Sequence, residues 1–118
     1  MRVLIVDDNP AMRRVIRQYI ESLIPGSGVI ECREGGEALA VYGTERPDLV
    51  LMDIRMEPGD GLHATAAILS RHPDARICIV TNFDDQELRE AARMAGACGY
   101  VTKDRLSDLR RYLFDNSH

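Results

Sequence analysis

Leu49-Val50-Leu51-Met52-Asp53 runs apolar for four residues and then stops on a carboxylate. Three other segments have the same form. Val3-Leu4-Ile5-Val6 stops at Asp7-Asp8, Ile77-Cys78-Ile79-Val80 at Thr81, and Gly99-Tyr100-Val101-Thr102 at Lys103, the single lysine of the chain. Continuous apolar runs of this length suit strands buried on both faces of a parallel sheet. With all strands pointing one way, their polar ends meet at one edge. Three carboxylates, a hydroxyl and an ammonium then share a cleft with the chemistry of a magnesium-bound phosphoryl site.

Between these runs the apolar period becomes helical. Asn9-Pro10 offers an N-cap followed by proline at the first helical position. Met12, Val15, Ile16, Tyr19, Ile20, Leu23 and Ile24 then predict one buried stripe, with Arg13, Arg14, Arg17 and Gln18 facing away. Pro25-Gly26 ends that helix, and a short strand is expected over residues 29–33. Gly35-Gly36 opens a second helix through Ala38, Leu39 and Tyr42, closed by Gly43 and Pro47. The Asp53 strand, residues 48–53, leads through a loop to a helix over residues 60–72. The fourth strand covers residues 75–81. Asp84 and Glu87 have capping-box spacing for a helix through Leu88, Ala91, Ala92 and Ala95, and Leu106, Leu109 and Leu113 mark a last helix.

Five strand–helix units without a linker or repeat predict an α/β fold. The expected architecture is a flavodoxin-like (βα)5 doubly wound parallel sheet with strand order 2-1-3-4-5, one domain over residues 1–118. That order makes the first and third strands neighbours and brings all four polar ends to the switch point. A net charge of −4 leaves no basic footprint for nucleic acid, and no apolar stretch approaches the roughly 20 residues of a spanning helix. Cys32, Cys78 and Cys98 are odd in number, lack C-x-x-C spacing and read as buried thiols in a cytoplasmic protein.

Carboxylates crowded into one cleft repel one another at neutral pH, and a divalent cation relieves that repulsion. Asp8 and Asp53 are the expected direct Mg2+ ligands, with Asp7 close or acting through water and the Arg55 carbonyl as a further oxygen. A carboxylate also serves as a nucleophile toward phosphorus, with Lys103 and the Thr81 hydroxyl placed to contact phosphoryl oxygens.

The chain resembles the receiver domain of bacterial two-component response regulators over essentially its whole length. The resemblance rests on Leu4-Ile5-Val6-Asp7-Asp8-Asn9-Pro10, Asp53-Ile54-Arg55-Met56 with Asp60-Gly61, Thr81, and Gly99-Tyr100-Val101-Thr102-Lys103. It implies a phosphorylated signalling switch rather than a turnover enzyme. Asp53 would accept a phosphoryl group from a histidine kinase or phosphotransfer protein. Asp7, Asp8 and Asp53 would hold magnesium, Thr81 and Lys103 would bind the phosphorylated form, and Tyr100 would be the aromatic switch. Further expected partners are a downstream protein or output domain and, on phosphorylation, a second copy of the chain. The chain ends at Asn116-Ser117-His118, so both a stand-alone receiver and the receiver portion of a DNA-binding regulator remain open.

Four residues depart from the family's pattern. Glu57 stands where proline is usual, placing Glu57 near the site and changing the turn. Asn82 and Phe83 follow the switch threonine where a small residue is usual, and with Arg55 they are expected to restrict attacking water. Asp104 replaces the proline after the lysine, where a cis bond would cost about 2.5–4 kcal/mol. Two rivals are weaker. A phosphatase forming an aspartyl phosphate would place its second aspartate where Arg55 stands, and a flavin protein would not put anionic Asp7-Asp8 in its phosphate loop.

Overall fold

The computed structural model describes residues 1–55 and 60–114. Five parallel strands form one sheet in the order β2-β1-β3-β4-β5, as expected: β1 Arg2–Val6, β2 Gly28–Cys32, β3 Leu49–Met52, β4 Ile77–Thr81 and β5 Gly99–Thr102. Between them lie α1 Pro10–Leu23, α2 Gly35–Glu45, α3 Gly61–Arg71 and α4 Gln86–Ala95, and α5 Arg110–Leu113 is the last helix among the described residues.

Alternation within each strand builds two cores. Leu4, Val6, Val50, Met52, Ile77 and Ile79 point to one face, where Ala38 and Tyr42 of α2, Ala64 and Ile68 of α3, and Ala92 of α4 cover them. Val3, Ile5, Leu49, Leu51, Cys78 and Val80 point to the other, beneath Ile16 and Ile20 of α1 and Leu109 and Leu113 of the C-terminal segment. Burial on both faces explains why β1, β3 and β4 read as continuous apolar runs.

The helix ends follow local chemistry. Asn9 caps α1 by accepting from the amides of Ala11 and Met12, with Pro10 at the first helical position. Asp60 caps α3 by accepting from the His63 amide at 2.8 Å. At α4 the cap is Asp85, not Asp84, because the Asp85 carboxylate reaches the amides of both Glu87 and Leu88. Asp84 turns outward to Arg89, at 3.0 Å. Gly43 lies inside α2, which ends at Arg46 in the left-handed region.

Three further expectations need correction. Val15 is 48% exposed, since Ile16 and Ile20 alone carry the fully buried stripe of α1. Cys32 and Cys78 are buried free thiols, whereas Cys98 is exposed in the turn before β5. Residues 103–109 form a 3-10 helix broken at Arg105 (φ −132°, ψ 52°), so the last α-helix has four residues. The three-residue step from Leu106 to Leu109 keeps both on one side in that tighter winding.

Candidate functional site

Register brings the polar strand ends together. Val6 pairs with Met52, so Asp7 and Asp53 emerge side by side, and Thr81 pairs with Thr102, beside Lys103. The ladder continues past the strands: the Asp53 amide donates to Val6 O at 2.9 Å, and the Asp7 amide to Cys32 O at 3.1 Å. The main chains of both acids are thus held as sheet, while their side chains project beyond it.

Asp7, Asp8 and Asp53 each offer an oxygen within 4.8 Å of the others. Asp7 and Asp53 are buried and Asp8 is exposed at the rim. Lys103 Nζ lies 2.8 Å from Asp7 Oδ2 and 3.4 Å from Asp53 Oδ2. Burial pushes the Asp53 carboxyl up to about 6, opposed by the Lys103 ammonium and aided by neighbouring Asp7. Asp7 Oδ2 is buried and meets Lys103 as an ion pair without hydrogen-bond geometry. An all-oxygen donor set with a buried oxygen of that kind fits a hard divalent cation such as magnesium.

Gly61 sets the distance between α3 and this edge. A Cβ there would lie 1.8 Å from the Asp53 carbonyl oxygen and 2.9 Å from the Met52 side chain, so only hydrogen fits. Its amide donates to Ile54 O at 2.7 Å, and Arg55 and Asp60 form an antiparallel bridge across the loop. Glu57 lies outside the described residues.

The opposite wall is aromatic and cationic. The Arg55 guanidinium lies 4.5 Å from the Phe83 ring centre, and Phe83 is 40% exposed. Thr81 is fully buried, and its hydroxyl accepts from the Phe83 amide at 3.4 Å. Half-buried Tyr100 donates its hydroxyl to Phe83 O at 2.6 Å, with Arg89 4.6 Å above its ring. Asn82 is exposed between Thr81 and Phe83. Every candidate within the described residues therefore lies at or beside the carboxyl edge of β1, β3, β4 and β5.

Residues 3–113 match the family model of the response regulator receiver domain. The chain belongs to that family. It is 38% identical over 102 residues to the chemotaxis protein CheY of Halobacterium salinarum, covering 86% of this chain and 83% of that one. To the transcriptional regulatory protein YhcZ of Bacillus subtilis it is 36% identical over 104 residues, covering 88% of this chain and 49% of the relative. A two-component response regulator of the LuxR family from Aurantimonas sp. SI85-9A1 superposes with a TM-score of 0.88 at 36% identity, covering 95% of this chain and 81% of that one. The receiver chain spans about half the length of the transcriptional regulators it matches. Receiver domains bind magnesium at an acidic cluster, and Asp7, Asp8 and Asp53 are the one such cluster among the described residues. No helix among the described residues is long and apolar enough to cross a membrane.

Sequence reasoning left two contributors unassigned. Gly61 lay in the quoted Asp60-Gly61 pair, but its contact with the Asp53 backbone is invisible without the fold. Arg13 read as an outward-facing helix residue, yet its Nη1 donates to the Asp7 carbonyl at 2.6 Å.

Proposed function

We propose that residues 1–118 form a single receiver unit whose phosphoacceptor is Asp53. The observation that carries this reading is the convergence of three carboxylates within 4.8 Å, one of them 3.4 Å from a lysine fifty residues away in sequence. A free oxygen of Asp53 attacks the phosphorus of a kinase or phosphotransfer protein's phosphohistidine. The O–P bond forms as the N–P bond breaks, and its electron pair leaves with the imidazole nitrogen. Asp7, Asp8, Asp53 and the Arg55 carbonyl are the residues that would hold Mg2+, which neutralises charge on the transferring group. Lys103 supplies a positive charge to a phosphoryl oxygen, and the Thr81 hydroxyl donates to another once it turns from the Phe83 amide.

That turn links phosphorylation to Tyr100, whose hydroxyl hangs on the same residue through the Phe83 carbonyl. Drawing Thr81 toward the phosphoryl group shifts the population between two packings of the β4–α4 loop and Tyr100. A cytoplasmic signalling switch of this kind acts on a downstream protein, an attached output domain or a second phosphorylated copy, without steady turnover. The half-length match to transcriptional regulators favours the receiver portion of a longer regulator, and the match to CheY favours a stand-alone one.

Incubation with a small acyl phosphate and magnesium, followed by intact mass, tests the reading. A phosphate-sized gain in the wild type, absent in Asp53→Asn, is the expected result. An equal gain in both proteins, or none in either, overturns it.

A further inference from the structure

Four contacts hold Asp7 at the end of β1. Its amide donates to Cys32 O, its Oδ1 accepts from the Asn9 amide at 2.9 Å, its Oδ2 faces Lys103, and its carbonyl accepts from Arg13 Nη1 at 2.6 Å. The last of these comes from a side chain that is itself anchored. Arg13 Nε lies 2.9 Å from Oε1 of Glu31 on β2, and Arg17 Nε takes the other oxygen of Glu31 at 2.8 Å. Arg17 also donates to the Val29 carbonyl at 3.1 Å and makes the ordinary tether between α1 and β2. Arg13 differs in reaching past Glu31 to the acidic turn, and its side chain is 18% exposed against 36% for Arg17.

We propose that Arg13 is a positioning residue for the cation and phosphoryl site, holding through Glu31 the peptide that joins Asp7 to Asp8. The plane of that peptide sets the direction in which the Asp8 side chain leaves the backbone, and so the gap between the two carboxylates. The planar guanidinium suits this role because one donor grips Glu31 while another grips the carbonyl. A lysine is a point charge without that fixed fork and holds the two partners in a less defined geometry. Removing an outer-shell group that orients metal ligands typically costs about 10–100-fold in affinity. The inference rests on the acidic cluster being the cation site proposed above.

The test is calorimetric magnesium binding, paired with the magnesium dependence of phosphorylation by a small acyl phosphate. The proteins are wild type, Arg13→Gln, Arg13→Lys and Arg17→Gln, each with its melting temperature in chelator. Arg13→Gln is expected to bind magnesium about tenfold more weakly and to need about tenfold more for half-maximal phosphorylation, with the rate at saturating magnesium nearly kept. Arg13→Lys recovers part of the affinity. Arg17→Gln lowers the melting temperature without moving the affinity. Wild-type affinity in Arg13→Gln overturns the proposal, as does an equal loss in Arg17→Gln, which would reduce Arg13 to a tether. If Arg13→Gln does not fold, Glu31→Gln releases the guanidinium from its other side, and unchanged affinity there overturns the proposal. A wild type that binds no magnesium sinks the cation site itself and is distinguishable because no variant is involved.

Discussion

The Arg55 guanidinium stacks 4.5 Å from the centre of the Phe83 ring, joining the segment after Asp53 to the segment after Thr81. An exposed cation–π contact is worth about 0.5–1 kcal/mol, enough to keep the two segments together most of the time. On the proposed reading, water that hydrolyses an aspartyl phosphate at Asp53 passes this pair. Phe83→Ala is therefore expected to shorten the lifetime of the phosphorylated state about fivefold, the factor that 1 kcal/mol of barrier supplies. Asn82→Ala, beside it, acts in the same direction. Phosphate release followed after removal of donor checks both, and unchanged rates dismiss the gate.

Lys103 neutralises two buried carboxylates at once. Lys103→Met leaves Asp7 and Asp53 facing each other without a counter-charge, and stripping one partner from a buried pair costs about 3–5 kcal/mol. The metal-free variant is expected to melt well below the wild type at pH 7.5. Magnesium then rescues it more strongly than it stabilises the wild type, because the competing ammonium has gone. The yield of phosphorylated Asp53 falls sharply all the same. Thermal melts with chelator and with magnesium, beside intact mass, separate the two effects.

Asp53 makes the stability of the metal-free protein depend on pH. Its carboxyl titrates near 3.8 when unfolded and is pushed up to about 6 in the fold. Between these values the native state holds the extra proton, so this group's contribution is fully present below about pH 4 and is lost as pH rises through 6. The difference corresponds to about 3 kcal/mol at neutral pH. Asp53→Asn should thus be more stable than wild type in chelator at pH 7.5, with the gap closing by pH 4. Denaturant melts across that range decide it, and a gap independent of pH rules the account out.

Gly61 offers a backbone test. Any Cβ there must displace the Asp53 carbonyl, whereas the nearest atom to a Cβ at Gly36 is 3.5 Å away. Gly61→Ala is expected to cost about 3 kcal/mol or more and to weaken magnesium binding. Gly36→Ala in the early turns of α2 changes stability little and leaves the site intact. Equal melting temperatures for the two variants would contradict the close contact.

What was legible in the sequence follows from range. Val3 to Val6, Leu49 to Met52 and Ile77 to Val80 announce themselves because burial on both faces leaves no polar residue until the run stops, and the polar stops then name the site. Asn9-Pro10 was readable because a cap acts within one turn. Asp84 and Asp85 both have capping chemistry, and only the path of the loop chooses between them. Arg13 looks like any solvent-facing helix residue until β2 supplies Glu31, eighteen residues later in sequence. The 3-10 winding after Lys103 was hidden because Leu106, Leu109 and Leu113 satisfy an α-helical spacing equally well.

The amides of Asp7 and Asp53 are still hydrogen-bonded into the sheet after the strands have formally ended. The two acids of the proposed site therefore stand on main chain held as sheet, and hydrogen exchange of their amides is expected to report the opening of that sheet edge. A rearrangement of the surrounding loops thus leaves the spacing of these two main-chain positions to the sheet.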